Sequence, residues 1–476
     1  MSRQNLRAKA SLLGARRSGP ARLIAALGLA ATAGLALPGQ VAHAGAATVR
    51  CSVPDLVEAI KTANSSPGAD TIRLARKCTY KLTAPDPDNP ANGLPAITSE
   101  ITIEGHGAKI TRDKSAPDFR ILFVDEAGKL KLNKSTISGG KATDCPNFPG
   151  GGACGGGISS LGTLTVNHSQ VIHNTAESDV FAEGGGIETG TFEGAGTATL
   201  NDTEISGNTA VYNGEVQSSA AGGGVLNNGP LTVENSRFTN NTVSVTERTN
   251  SFAFGSGLAG FARTTVRKTT FAHNQASAPG GFARAALTTG AVPPDAMTVT
   301  DSVIANNTAS APGGFAQGGG VASNAVLSVT GSRVVDNHAS APDGGTAVGG
   351  GIQIGALGNL ELSQTTVQRN TASASGGGSA QGGGINNATG GSVKIDKSKI
   401  TNNAVRASGG GTARGGGIFN GVGSTSLNDS AVTDNKAGDG GGIFEESGTV
   451  TLNSTEVERN HPNNCAPPDA VAGCTG

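Results

Sequence analysis

The chain has 476 residues, of which 74 are glycine, 15% are charged and 3% are aromatic, with no tryptophan and a net charge of −1. Thirty-five basic residues against 36 acidic ones leave no basic stripe, which argues against a nucleic-acid partner. So much glycine, set among serine, threonine and asparagine, also excludes an architecture built mainly from helices.

Residues 1–44 read as a secretory signal. Arg3, Arg7, Lys9, Arg16, Arg17 and Arg22 give a basic start, Leu23 to Leu37 is an Ala/Leu-rich run, and Ala42-His43-Ala44 is a small-x-small cleavage site. The run is too short and too slight in side-chain volume for a stable span, so no membrane span is expected in the mature chain. Arg16-Arg17 invites a twin-arginine reading, but Ser18, Gly19 and Pro20 follow where strongly apolar residues would be expected. Ordinary secretion is favoured. An exported chain is expected to oxidise its six cysteines, and the simplest pairing is by neighbours: Cys51–Cys78, Cys145–Cys154 and Cys465–Cys474. With no CxxC and seven histidines, no zinc or redox centre and no cofactor are expected.

Residues 45–127 form an N-terminal cap and irregular first coils. Val53 to Asn64 is the one clear helix: Pro54 and Asp55 suit its first turn, and Leu56, Ile60 and Ala63 give it an apolar face. It is expected to cap the first coil and shield strand edges. Residues 128–464 are regular coils, and residues 465–476 are a tail closed by Cys465 and Cys474.

A six-residue phrase, Ser/Thr-x-[Val/Ile/Phe]-x-x-Asn, recurs through the regular region. It ends at Asn174, Asn208, Asn241, Asn274, Asn307, Asn337, Asn370, Asn403, Asn435 and Asn460, with Gly140 in the Asn place of an earlier copy. The spacings are 34, 33, 33, 33, 30, 33, 33, 32 and 25, the mark of a stacked repeat. Short alternating runs such as Leu231-Thr-Val233 and Leu327-Ser-Val329 make each repeat a coil of strands. Each coil divides into three: a Gly-Gly-Gly-[Ile/Val] strand, the Leu/Val run, and the Ser/Thr…Asn phrase. The expected fold is therefore all-β, a right-handed parallel β-helix with three faces and a short N-terminal capping helix. Stacked Asn residues would form an amide ladder, and Asn or Gly would supply the left-handed backbone at corners. The 25-residue last repeat is one bare turn, so the roughly eight extra residues of the others, such as Ser310 to Gln317, should project as a wall of aligned loops.

The stretch Leu56-Val-Glu-Ala-Ile60…Gly68-Ala-Asp-Thr-Ile72, with Leu94-Pro-Ala-Ile97 and Ile101-Thr-Ile-Glu-Gly-His-Gly-Ala-Lys-Ile110, resembles the entry of secreted bacterial β-helix proteins of pectate-lyase-like (pectin-lyase-like) fold. A cysteine followed by a short amphipathic helix is similar to the "CSLREA" type of entry, although the helix core here reads Leu-Val-Glu-Ala. The repeats resemble those of chlamydial polymorphic outer-membrane passenger domains. The resemblance implies the fold and says little of activity. No C-terminal membrane barrel follows the last coil, so a released protein is preferred to a self-anchored one.

Lyases on such scaffolds hold calcium with several carboxylates and use a Lys or Arg base, and hydrolases use a carboxylate pair. In the strand after each Gly triplet only Glu188, Glu445 and Glu446 are acidic, and the first is many coils from the others. Gly105-His106-Gly107 is similar to a polygalacturonase motif, but those enzymes also need adjacent Asp residues and an Arg-x-Lys, and the chain has no Asp-Asp pair, so a corner is expected. Asp179, Glu183, Glu188 and Glu193 form a mild acidic group expected in a solvated insertion, and Asp439 is too isolated for a calcium repeat. No catalytic residue and no metal site is assigned. Phe252, Phe254, Phe261, Phe282 and Phe315 fall in consecutive insertions, with Arg263, Arg284 and Gln317 two residues after three of them: an apolar strip edged by polar groups. The expected function is that of a secreted, monomeric, non-catalytic scaffold that binds a glycan or surface protein through the loop wall. The alternatives are a polysaccharide lyase or glycoside hydrolase, and a purely structural extracellular protein.

Overall fold

The computed structural model describes residues 46–476, apart from residues 147, 149, 191–195, 247–249, 285, 291–295 and 476. The segment read as an export signal, with Arg16-Arg17, lies outside the described residues. The described chain is a parallel β-solenoid of about 11 turns with one helix. Its winding is right-handed, as crossovers between parallel strands are.

Each regular turn carries the three strands implied by the repeat, as in Ile158–Ser160, Thr163–Asn167 and Gln170–Ile172. The strands after the Gly triplets stack into a 12-stranded parallel sheet, from Leu122–Val124 to Cys465–Ala466, called here the triplet sheet. The second and third strands share a 25-stranded parallel sheet. Between them one left-handed residue turns the chain, for example His168 (φ 47°) or Asp202 (φ 47°). Register is strict: Leu164, Ala198 and Leu231 lie above one another, as do Val171, Ile205 and Phe238. Ile158, Ile187, Val225 and Leu258 begin a fully buried column that runs on to Ile443. Phe238 and Phe271 stack inside the coil with centroids 4.6 Å apart.

The second corner departs from expectation. Its left-handed residue is the one before each ladder Asn, and it is neither always small nor always Asn: His173, Arg369 and Arg459 hold it at φ 53–54°. The Asn side chain satisfies the corner instead, and its neighbour bears the backbone strain. At the Gly triplets the small residue is a steric requirement. A Cβ on Gly185 would lie 2.4 Å from the Thr209 carbonyl and 2.5 Å from Gly223 O of the next turn.

The helix, Val53–Ser65, buries Leu56, Ile60 and Ala63 in the same core as the first strands. Disulfide Cys51–Cys78 ties its entry to the coil, and Cys465–Cys474 closes the last strand of the triplet sheet.

The extra residues are not loops. After Gly140 and after each ladder Asn from Asn174 to Asn403 the chain runs out in one strand and back in another, as in Thr308–Ser310 and Phe315–Gln317. The outgoing strands stack into one 9-stranded parallel sheet and the returning strands into another. Together they make a fin along the solenoid, from Lys141–Ala142 to Ala413–Arg414. The fin has its own core, almost wholly alanine: Ala176, Ala210, Ala276 and Ala309 from one sheet face Ala182, Ala220, Ala283 and Ala316 from the other. Alternation hides one methyl and exposes its two neighbours, so x-Ala-x suffices for a strand of this kind. Disulfide Cys145–Cys154 crosses the first turn of the fin.

Candidate functional site

The returning sheet of the fin has an outer face, and on it the sequence places phenylalanine in three successive turns. Phe252, Phe282 and Phe315 are in register with one another, each followed by a buried alanine, Ala253, Ala283 or Ala316. That alternation turns the rings outward. Phe252 and Phe282 stack with centroids 4.9 Å apart and an interplanar angle of 13°, and Phe282 and Phe315 at 5.2 Å and 10°. Phe315, at 44% exposure, is the most open of the three. The ladder ends on Ser219 at one side and Thr346 at the other.

The other two phenylalanines of the anticipated strip lie elsewhere. Phe254 and Phe261 meet edge to face, 5.7 Å apart, over Ala221, Leu226 and Ala259 in the inner corner between fin and triplet sheet. They close that corner and take no part in the ladder. Arg284 and Gln317 line the same inner corner, where Arg284 Nε donates to Gln317 Oε1 at 2.8 Å.

Ring orientation decides what the ladder can contact. Stacked rings spend their faces on one another and present their edges to solvent. A sugar stacks on an aromatic face, so only the outer faces of the two end rings could take one. Edges and side-chain flanks suit an apolar protein surface, where buried aromatics dominate binding energy.

The inner corner also holds the anticipated acidic group, and splits it. Asp179 is exposed, and Glu193 lies outside the described residues. Glu183 and Glu188, expected in a solvated insertion, are instead 8% and 3% exposed. Glu183 belongs to a returning strand, and Glu188 points out of the triplet sheet into the corner. Burial pushes the Glu183 carboxyl up to about 8, with the neighbouring Glu188 adding to the rise. Burial also raises Glu188 to about 7, against the pull of a 2.7 Å bond from Ser159 Oγ and the charge of Arg120. Glu183 Oε2 lies 4.0 Å from the Cys154 sulfur. That sulfur is in a disulfide and has no proton, so the protonated carboxyl is the donor. Arg120, 1% exposed, donates to Asn92 Oδ1 at 3.0 Å, to the carbonyls of Asp144 and Cys154 at 2.7 and 3.1 Å, and to the Asp144 carboxylate. A hydrolytic pair must flank a polymer. These two carboxyls are buried in the corner.

The ladder asparagines are fully occupied by one another. Asn274 Nδ2 donates to Asn307 Oδ1 at 2.9 Å and to Phe238 O at 3.0 Å, while the Asn274 backbone N–H reaches Asn307 Oδ1 at 2.9 Å. The pattern runs from Asn174 to Asn460. His106 (φ 51°) and Gly107 (φ 82°) form a corner, where the pairing of Glu100–Arg112 with the next turn shifts register. Glu445 is 9% exposed, and Glu446 lies 3.4 Å from the Arg414 guanidinium. Asp439 accepts from Asn463. Among the described residues no three His, Cys, Asp or Glu side chains gather as a metal site. No helix among them is long and apolar enough to cross a membrane.

The chain matches no family model, no curated protein and no solved structure.

Proposed function

We propose that this protein is a secreted, non-catalytic β-helix scaffold that docks a partner protein on the outer face of its fin. The observation that carries this reading is the register-locked ladder of Phe252, Phe282 and Phe315, held outward on a rigid sheet. A rigid platform lowers the ordering cost of binding, and its rim of Ser219 and Thr346 supplies the polar edge that interfaces have. Three disulfides and no free cysteine among the described residues support an oxidising compartment. The burial of Glu183 and Glu188 weighs against the lyase or hydrolase alternative, and the use of ring faces within the ladder weighs against a glycan as the main ligand.

A glycan array probed with the protein, with the same sugars assayed for cleavage, tests both exclusions. The expected result is no cleavage and no glycan binding that depends on Phe282 and Phe315. Cleavage of any sugar overturns the non-catalytic reading, and sugar binding abolished by Phe282→Ala with Phe315→Ala overturns the choice of a protein partner.

A further inference from the structure

The outer face of the 25-stranded sheet is grooved, and two of its grooves are acidic or neutral. One is lined by Lys134, His168, Asp202 and Glu204, another by Lys397, Lys399, Asp429 and Glu456. A third, of about 650 Å³, is not. It spans the early turns and is lined by Lys81, Lys109, Arg112, Lys114, Asp113 and His173, with Thr111 and Ser138 on its floor. Four cations stand there against one carboxylate, a local charge of +3 in a chain whose net charge is −1.

The internal partners do not use up that charge. Lys81 pairs with Asp113, whose carboxyl is held down at about 2 by Lys81 and by bonds from Ser115. The Arg112 guanidinium is spent on the carbonyls of Gly139, Ala116 and Pro117 at 2.9, 2.8 and 3.2 Å, and on Asp118 at 3.4 Å. It stiffens the floor. Lys109 and Lys114 form no ion pair among the described residues, and both are exposed. Lys81, Thr111 and Ser138 lie in one column by register, with Lys109 beside Thr79 and Thr136. Ser138 Oγ donates to Thr111 Oγ1 at 3.0 Å, so hydroxyls and ammonium groups converge on one concavity. With Lys81 and Arg112 paired, Lys109 and Lys114 leave two like charges beside one groove, and a bound anion relieves their repulsion.

We propose that this groove binds a phosphate group, with Lys109 and Lys114 as its principal cations. The phosphate belongs either to a soluble phosphate compound or to a lipid headgroup, and both offer the same multivalent oxyanion. The site lies on the 25-stranded sheet and is independent of the fin ladder.

The test uses the full chain. Pyrophosphate binding is measured by calorimetry at low salt, and sedimentation is measured with phosphatidylcholine vesicles that contain or lack phosphatidic acid. Wild-type protein binds at least one phosphate probe, more weakly as salt rises. Lys109→Gln with Lys114→Gln weakens that binding at least tenfold and leaves the denaturation midpoint in place. Lys397→Gln with Lys399→Gln, in the balanced groove, changes nothing. Binding of pyrophosphate without vesicles marks a soluble ligand, and binding of vesicles alone marks a lipid. Both support the site. No binding of either probe by wild type, or equal loss in the two double variants, overturns it.

Discussion

Replacing Asn307 by alanine removes four hydrogen bonds from the middle of the ladder. Its Oδ1 accepts from the Asn274 backbone N–H and from Asn274 Nδ2, both at 2.9 Å, and its Nδ2 donates to Phe271 O at 3.0 Å and Asn337 Oδ1 at 2.9 Å. Alanine leaves the Asn274 N–H buried without a partner, which costs about 1–3 kcal/mol, and forfeits about 1 kcal/mol for each of the other bonds. The expected loss is therefore roughly 4–6 kcal/mol, read as a lower urea midpoint by circular dichroism. Stacked turns depend on their neighbours, so amide exchange should quicken first in the turns that contain Asn274 and Asn337. Asn307→Asp separates ladder bonding from side-chain volume. It keeps the acceptor but aims a carboxylate at Phe271 O and Asn337 Oδ1, so its folded pKa is raised above the unfolded value of about 3.9. The variant holds its best stability below that value, where the carboxyl can donate, and loses it as pH rises. A midpoint shift worth less than ~0.5 kcal/mol in the alanine variant, or no pH dependence in the aspartate variant, would refute the ladder account.

The buried acids set a second pH dependence. Glu183 and Glu188 titrate near 8 and 7 in the folded chain and near 4.5 otherwise, so their contribution is full below that value and is lost as pH climbs through 7 and 8. Melting scans from pH 5 to 9 should show a fall of roughly 3 kcal/mol or more that flattens in the Glu183→Gln, Glu188→Gln double variant. Ala283→Leu overpacks the methyl core of the fin and should cost about 1–3 kcal/mol by denaturation, without disturbing the main coil. Removing the Cys465–Cys474 bond, which spans 9 residues, should cost about 2–3 kcal/mol, with faster amide exchange in the last turn.

Much of this architecture is legible in the chain because a solenoid writes its period directly. Leu164 and Leu231 repeat the same local task, and each turn restates the pattern. The fin is the instructive failure. Thr-Ala-Ser and Phe-Ala-Gln alternate as strands do, yet alanine is a poor marker of burial and glycines interrupt the run, so the segment reads as loop. Its strands hold because each stacks on identical neighbours, a tertiary effect that local propensity does not record. The aromatic strip was legible as residues but not as a group: Phe282 and Phe315 follow from the fin register, whereas Phe254 sits two residues past Phe252, on the same face, and turns into the corner beside Phe261. The burial of Glu183 and Glu188 was invisible because their cover comes from a corner that forms only once fin and triplet sheet are both in place.

Docking of a partner protein on the fin ladder is tested most directly by binding of wild type and of Phe282→Ser with Phe315→Ser to an array of extracellular proteins. Loss of two of the three ladder aromatics should cost about 1–2 kcal/mol each, or about thirtyfold to several hundredfold in affinity. The account predicts a partner that wild type binds and the variant loses by at least tenfold, with the fold unchanged by circular dichroism. Equal binding by both proteins, or no bound protein for wild type, would contradict it.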